Sequence, residues 1–220
     1  MKVCKLTRSD RTTHGGMLWG RGVRNETSGE GELCGPGWVH WYHDPLLAVL
    51  HVPIHVCFGP KARLWEAEAE GIIREEGYMK GGSTVLTTIR EIPLPVVTLA
   101  QRVRYAILCG QVEIGDDCPV WSAWADDWLA GKNRSSAGVA RAAWYAASGW
   151  AAMAAATAAR AADSADSAMV VAVARASDPP AVVAREARAA ESAVAAAEMR
   201  GKSIDLLALA RRAVADEPGA

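Results

Sequence analysis

The residues with the most varied chemistry crowd into the first half of this 220-residue chain. All 5 histidines lie between His14 and His55. His40 and His43 form an H-x-x-H pair, and His51 and His55 an H-x3-H pair with Cys57 close behind, spacings that metal sites use. On a regular strand His40 and His43 point to opposite faces, and Asp44-Pro45 separates them from His51, so packed or exposed imidazoles are expected, with no metal and no other cofactor. Glu66, Glu68 and Glu70 alternate along one strand face. Carboxylates so placed do acid–base work when burial drives their pKa values apart. A solvated sheet face produces the same alternation and is the reading taken. The 5 cysteines, Cys4, Cys34, Cys57, Cys109 and Cys118, are odd in number and form no C-x-x-C pair, as reduced cytosolic thiols would. No base neighbours any of them in sequence, and Cys34 is expected in a core or turn rather than as a nucleophile. The usual phosphate-loop, dinucleotide and esterase motifs are absent, and no catalytic residue is assigned.

Ligand chemistry is more legible. Glycine amides in His14-Gly15-Gly16 and Ser28-Gly29-Glu30-Gly31 can meet phosphate oxygens, although a turn after a strand explains the first of these equally well. Alternation places Trp38, His40 and Tyr42 on one face of a strand, with Val39 and Trp41 on the other. The first set combines a hydrogen-bonding imidazole with stacking rings. His14, Trp38, His40 and Tyr42 are therefore the candidate ligand-binding residues.

The elements that would position these groups change character near residue 97. Before it, short strands are expected at Val3–Leu6, Trp38–Tyr42, Leu64–Glu70 and Val85–Ile92, with turns at the glycines and a short helix at Leu46–Leu50 after Asp44-Pro45. After it, Thr98 and Gln101 form a capping box for a helix running to Gly110. A second helix after Pro119 carries Trp121, Trp124 and Trp128 on one side and stops at Gly131. From about Ser135 the chain is Ala-rich and expected to be helical, with a break at Asp178-Pro179, a second long helix to about Arg200, and a last segment capped by Ser203. The fold class predicted is α+β, a small mixed or antiparallel N-terminal β domain followed by an Ala-rich helical C-terminal region. The boundaries are a head at 1–97, a helical connector at 98–131 and a tail at 132–220.

Lys plus Arg total 24 and Asp plus Glu 25, a net charge of -1, which argues against nucleic-acid binding by bulk charge. The stretch from Ala142 to Ala159 has no charged residue, but it is mostly Ala and interrupted by Ser148, Gly149 and Thr157; no membrane insertion is expected. Ala seams let helices approach closely, either in a hairpin folded on the sheet or between copies of the chain. With Trp144, Trp150 and Met153 needing cover, a homo-oligomer built through the tail is expected.

Several features recur in a recognisable order: Leu33-Cys34, Gly37-Trp38-Val39-His40, Asp44-Pro45-Leu46, then Leu64 to Gly71 with its Glu-Ala alternation, and a closing Arg90-Glu91-Ile92. This resembles an uncharacterised domain family of phages and prophage-bearing bacteria, over about residues 1–97. The resemblance implies a viral or prophage origin, hence a host cytoplasmic location, and brings no established activity. A weaker similarity is to the ADP-ribosyltransferase fold, which would place His14, Tyr42 and either Glu68 or Glu91 around a nicotinamide-nucleotide cleft. Neither a His-Tyr-Glu nor an Arg-Ser-Glu set is complete here, so the similarity implies a ligand-binding version as readily as an enzyme. The function expected is a non-enzymatic phage accessory protein that binds a host defence component or sequesters a nucleotide signal. An ADP-ribosyl-transferring or nucleotide-processing enzyme and an oligomeric structural adaptor are the alternatives.

Overall fold

The computed structural model describes residues 1–55, 61–76, 80–114, 119–132 and 204–215. Its contacts divide the chain into two compact units, Met1–Val96 and Val97–Ala220. Antiparallel strands and helices are both present, and the fold is mixed α+β.

The first unit is a five-stranded antiparallel sheet with one helix. Its strands are β1 (Lys2–Thr7), β2 (Arg24–Glu26), β3 (Val39–Trp41), β4 (Arg63–Glu76) and β5 (Lys80–Ile92), and α1 spans Pro45–His55. β1 pairs with β4, β4 with β5, and both β2 and β3 with β5. Tyr42 and Cys4 then exchange both backbone hydrogen bonds, at 2.7 and 2.9 Å. That bridge joins the end of β3 back to β1, so β1, β4, β5 and β3 close into a ring. Alternation sorts the side chains: Val3, Val39, Trp41, Ala67 and Ala69 form one buried cluster with Trp19 and Leu86. Cys4, Leu6, Tyr42 and Leu64 form a second cluster with Ala48 of α1. Asp44 caps α1, its carboxylate accepting from the Leu46 amide at 2.8 Å, and Pro45 supplies a first residue that needs no donor.

The β4–β5 hairpin is longer than the sequence suggests. The strand expected at Leu64–Glu70 runs on to Glu76, and the one expected from Val85 starts at Lys80. Glycines at Gly71, Gly81 and Gly82 read as strand-breaking, yet here they serve packing. Side chains at Gly81 and Gly82 would collide with the Trp41 ring and with Leu33 respectively, so these two glycines let large residues press on the sheet. A register shift between Glu70 and Ile73 accompanies the positive φ of 75° at Gly71.

The second unit is described through α2 (Leu99–Ile114), α3 (Pro119–Leu129) and α4 (Leu206–Ala215). The capping box at the start of α2 forms as expected: the Gln101 amide donates to Thr98 Oγ1 at 3.2 Å, and the Thr98 amide to Gln101 Oε1 at 2.8 Å. α2 does not stop at Gly110. That glycine instead admits the Trp121 ring, which a Cβ there would meet at 2.8 Å. Trp121, Trp124 and Trp128 are buried along one side of α3, and Gly131 ends it with a φ of 72°. α4 packs on α2, with Gln101 Nε2 donating to the Val214 carbonyl at 3.3 Å. Its cap is Asp205, whose carboxylate accepts from the Ala208 amide at 2.9 Å. Ser203 lies outside the described residues, as do the Ala142–Ala159 segment, Trp144, Trp150, Met153, the Asp178-Pro179 break and the long helix expected to reach Arg200. No helix among the described residues is long and apolar enough to cross a membrane.

Candidate functional site

The loop between β2 and β3 folds back on itself: the Gly29 amide donates to the Gly37 carbonyl at 2.8 Å. The Gly31 carbonyl in this loop accepts two side-chain donors, Trp38 Nε1 and Arg74 Nη1, each at 3.2 Å. The Arg74 guanidinium also lies 4.8 Å from the centre of the Trp38 ring, a cation–π stack. A Cβ on Gly29 would stand 3.7 Å from Ile72 Cδ1 and 3.8 Å from Trp38 Cη2, so Ile72 and Trp38 converge on the loop. On the neighbouring strand, Lys80 is buried and donates through Nζ to Cys34 Sγ at 3.0 Å.

The four residues singled out from sequence have unequal fates. Val39 and Trp41 belong to the buried cluster inside the ring, which sends Trp38, His40 and Tyr42 to the other side of β3, the two sets dividing between the faces as expected. Trp38 is only 4% exposed, with Arg74 over one face, so its ring has no open face for a base. His40 is half-buried, and its Nε2 is bonded to the Leu33 carbonyl. Tyr42 packs with Cys4, Leu6, Ala48 and Leu64. His14 begins a 3-10 turn, and its side chain lies outside the described residues. Trp38 and His40 therefore sit in the wall of the loop site as structural members, and Tyr42 belongs to the cluster under α1.

The acidic strand face is solvated. Trp65, Ala67 and Ala69 are buried while Glu68 and Glu70 are exposed, and Glu66 is held by Arg90 at 2.6 Å. Glu91 is paired with Arg63 at 3.0 Å. His51 is buried in α1, and His43 lies 3.5 Å from Glu75. Cys57 lies outside the described residues. Among the described residues no group of three or more His, Cys, Asp and Glu is placed to hold a metal ion.

Sequence reasoning missed Arg74, Ile72 and Lys80. A strand taken to end at Glu70 discards Ile72 and Arg74, and one taken to start at Val85 discards Lys80. It also missed Lys5. Alternation puts Lys5 on the inner face of β1, where its ammonium donates to the His40 carbonyl at 2.6 Å and lies 4.9 Å over the Trp19 ring. Both contacts favour the cation, but burial outweighs them and lowers the pKa from 10.5 to about 7. Burial acts oppositely on thiols, pushing Cys4 up to about 11 and Cys109 to about 12. No protein-family model, no curated protein and no solved structure matches this chain.

Proposed function

We propose that the chain is a non-enzymatic accessory protein of viral or prophage type whose head docks on a host defence protein. The observation that carries this reading is the exposed pair Ile72, at 60% exposure, and Arg74, whose guanidinium is held over the buried Trp38 ring. Arg is among the residue types that dominate interface energetics, and a stacked guanidinium is already oriented before a partner arrives. The buried Trp38 ring favours a protein partner over a stacked base. In the same reading the Ala-rich segment after Ser135 joins copies of the chain, supported by its small-residue composition.

The test is co-expression with bacterial defence systems, comparing wild type with the double variant Ile72→Asp, Arg74→Glu. Relief of defence that the double variant loses, at an unchanged melting temperature, is the expected result. Relief that survives both substitutions removes the patch from the function. Titration calorimetry with ADP-ribose and cyclic nucleotides separates the nucleotide reading: binding by wild type that His40→Ala abolishes would replace the protein partner with a small ligand. Light scattering that returns a monomer at micromolar concentration would remove the oligomer.

A further inference from the structure

Cys34 and Lys80 meet across the loop site in an arrangement the docking reading does not use. The Cys34 residue is exposed to solvent in the β2–β3 loop. Lys80 is only 5% exposed, and its Nζ is delivered to that sulfur at 3.0 Å. An amine held against an accessible thiol is placed to trap the first oxidation product of that thiol. The other described cysteines differ: Cys4 and Cys109 are buried and held in the thiol form.

We propose that Cys34 and Lys80 form a modification site, a sulfur–nitrogen crosslink made when a peroxide oxidises Cys34. In the first step the Cys34 sulfur attacks hydrogen peroxide. The peroxide O–O bond breaks, an S–O bond forms, and the thiol proton leaves with the departing hydroxide as water, giving a sulfenic acid. In the second step Lys80 Nζ, after losing one proton to solvent, attacks the sulfur. The S–O bond breaks, the hydroxide takes a second proton from nitrogen as water, and an S–NH linkage remains. The oxidant is the peroxide, and sulfur is the atom oxidised. The linkage ties the β2–β3 loop to the first residue of β5, beside Trp38 and Arg74, and stiffens the loop there. This inference stands whether or not the docking reading holds.

The experiment treats the full-length protein with hydrogen peroxide and follows intact mass and tryptic peptides for wild type, Cys34→Ser and Lys80→Arg. Wild type is expected to lose about 2 Da and to yield one peptide joining the segments around Cys34 and Lys80, uncut after Lys80 and released by a thiol reductant. Neither variant should yield it. Cys34 advancing to a sulfinic acid, a gain of about 32 Da, with trypsin still cutting after Lys80, would overturn the proposal. So would a crosslinked peptide joining Cys34 to another lysine in Lys80→Arg. The wild-type masses decide the matter by themselves should Lys80→Arg fold poorly.

Discussion

The two units bury tryptophan on different terms. In the first, the indole donors of Trp19 and Trp65 reach the hydroxyls of Thr13 and Thr7, at 2.9 and 3.1 Å, and Trp38 reaches the Gly31 carbonyl. In the second, the indole nitrogens of Trp121 and Trp124 are buried without a hydrogen-bond partner among the described residues. The reason lies in the backbone. Loops and strand ends carry carbonyls and threonine hydroxyls that no ladder consumes, so a ring beside them finds an acceptor. A helix interior spends its carbonyls on its own amides and offers a neighbouring ring only packing. Trp41 is the exception in the head: its indole nitrogen also lacks a partner among the described residues, and the ring packs against Gly81. Tryptophan thus works as an oriented anchor at the loop site and as filler between helices.

The comparison can be broken most forcefully at the filler positions. Trp41→Ala and Trp124→Ala should each cost about 3–5 kcal/mol in denaturant unfolding, since both rings are enclosed. A Trp124→Ala protein that melts with wild type would make the α3 stripe a surface site. The interior of the head carries the next largest effect. Lys5 has a folded pKa of about 7 against 10.5 unfolded, so between those values the unfolded chain binds the extra proton. Stability should therefore rise with pH from 7 to 9, with a slope approaching about 1.4 kcal/mol per unit, and the gain is lost as pH falls back through 7. Above pH 9 the raised thiol pKa values of Cys4 and Cys109 act in the opposite direction, because there the folded protein keeps the protons. Lys5→Met should flatten the slope; an unchanged slope would mean that the ammonium stays charged at neutral pH.

The donor contrast itself is worth less and is the sharper test. Trp65→Phe removes a bonded donor and Trp121→Phe an unbonded one, so the first should cost more by about 1 kcal/mol. Equal losses would erase the distinction between the units. Smallest is the cap: Thr98→Ala should destabilise the helical unit by roughly 0.5–1 kcal/mol, read as a shift of the denaturation midpoint at constant slope.

Local rules made much of this legible from the residues. Thr98 and Gln101 announced a helix start, and Trp121, Trp124 and Trp128 announced a buried side, because both signals act within two turns of one helix. The alternation from Trp65 to Glu70 correctly assigned the apolar residues to the interior and the glutamates to water, since a strand's side-chain period is independent of its neighbours. The glycines misled for the same reason in reverse. Gly81, Gly82 and Gly110 look like interruptions when only local conformation is considered, and they are contacts once Trp41, Leu33 and Trp121 arrive from elsewhere.

From the sequence by itself came the α+β character, the capping of α2, the tryptophan side of α3 and the two faces of β3. Each follows from steric and hydrogen-bonding rules that reach only a few residues along the chain. The tertiary structure alone decided that β1 and the end of β3 would meet, that Arg74 would stack on Trp38, that Lys80 would point at Cys34 and that Lys5 would be buried. Those partners are separated by tens of residues and join only through strand register. One residue of slippage would turn each of these side chains to the opposite face of the sheet.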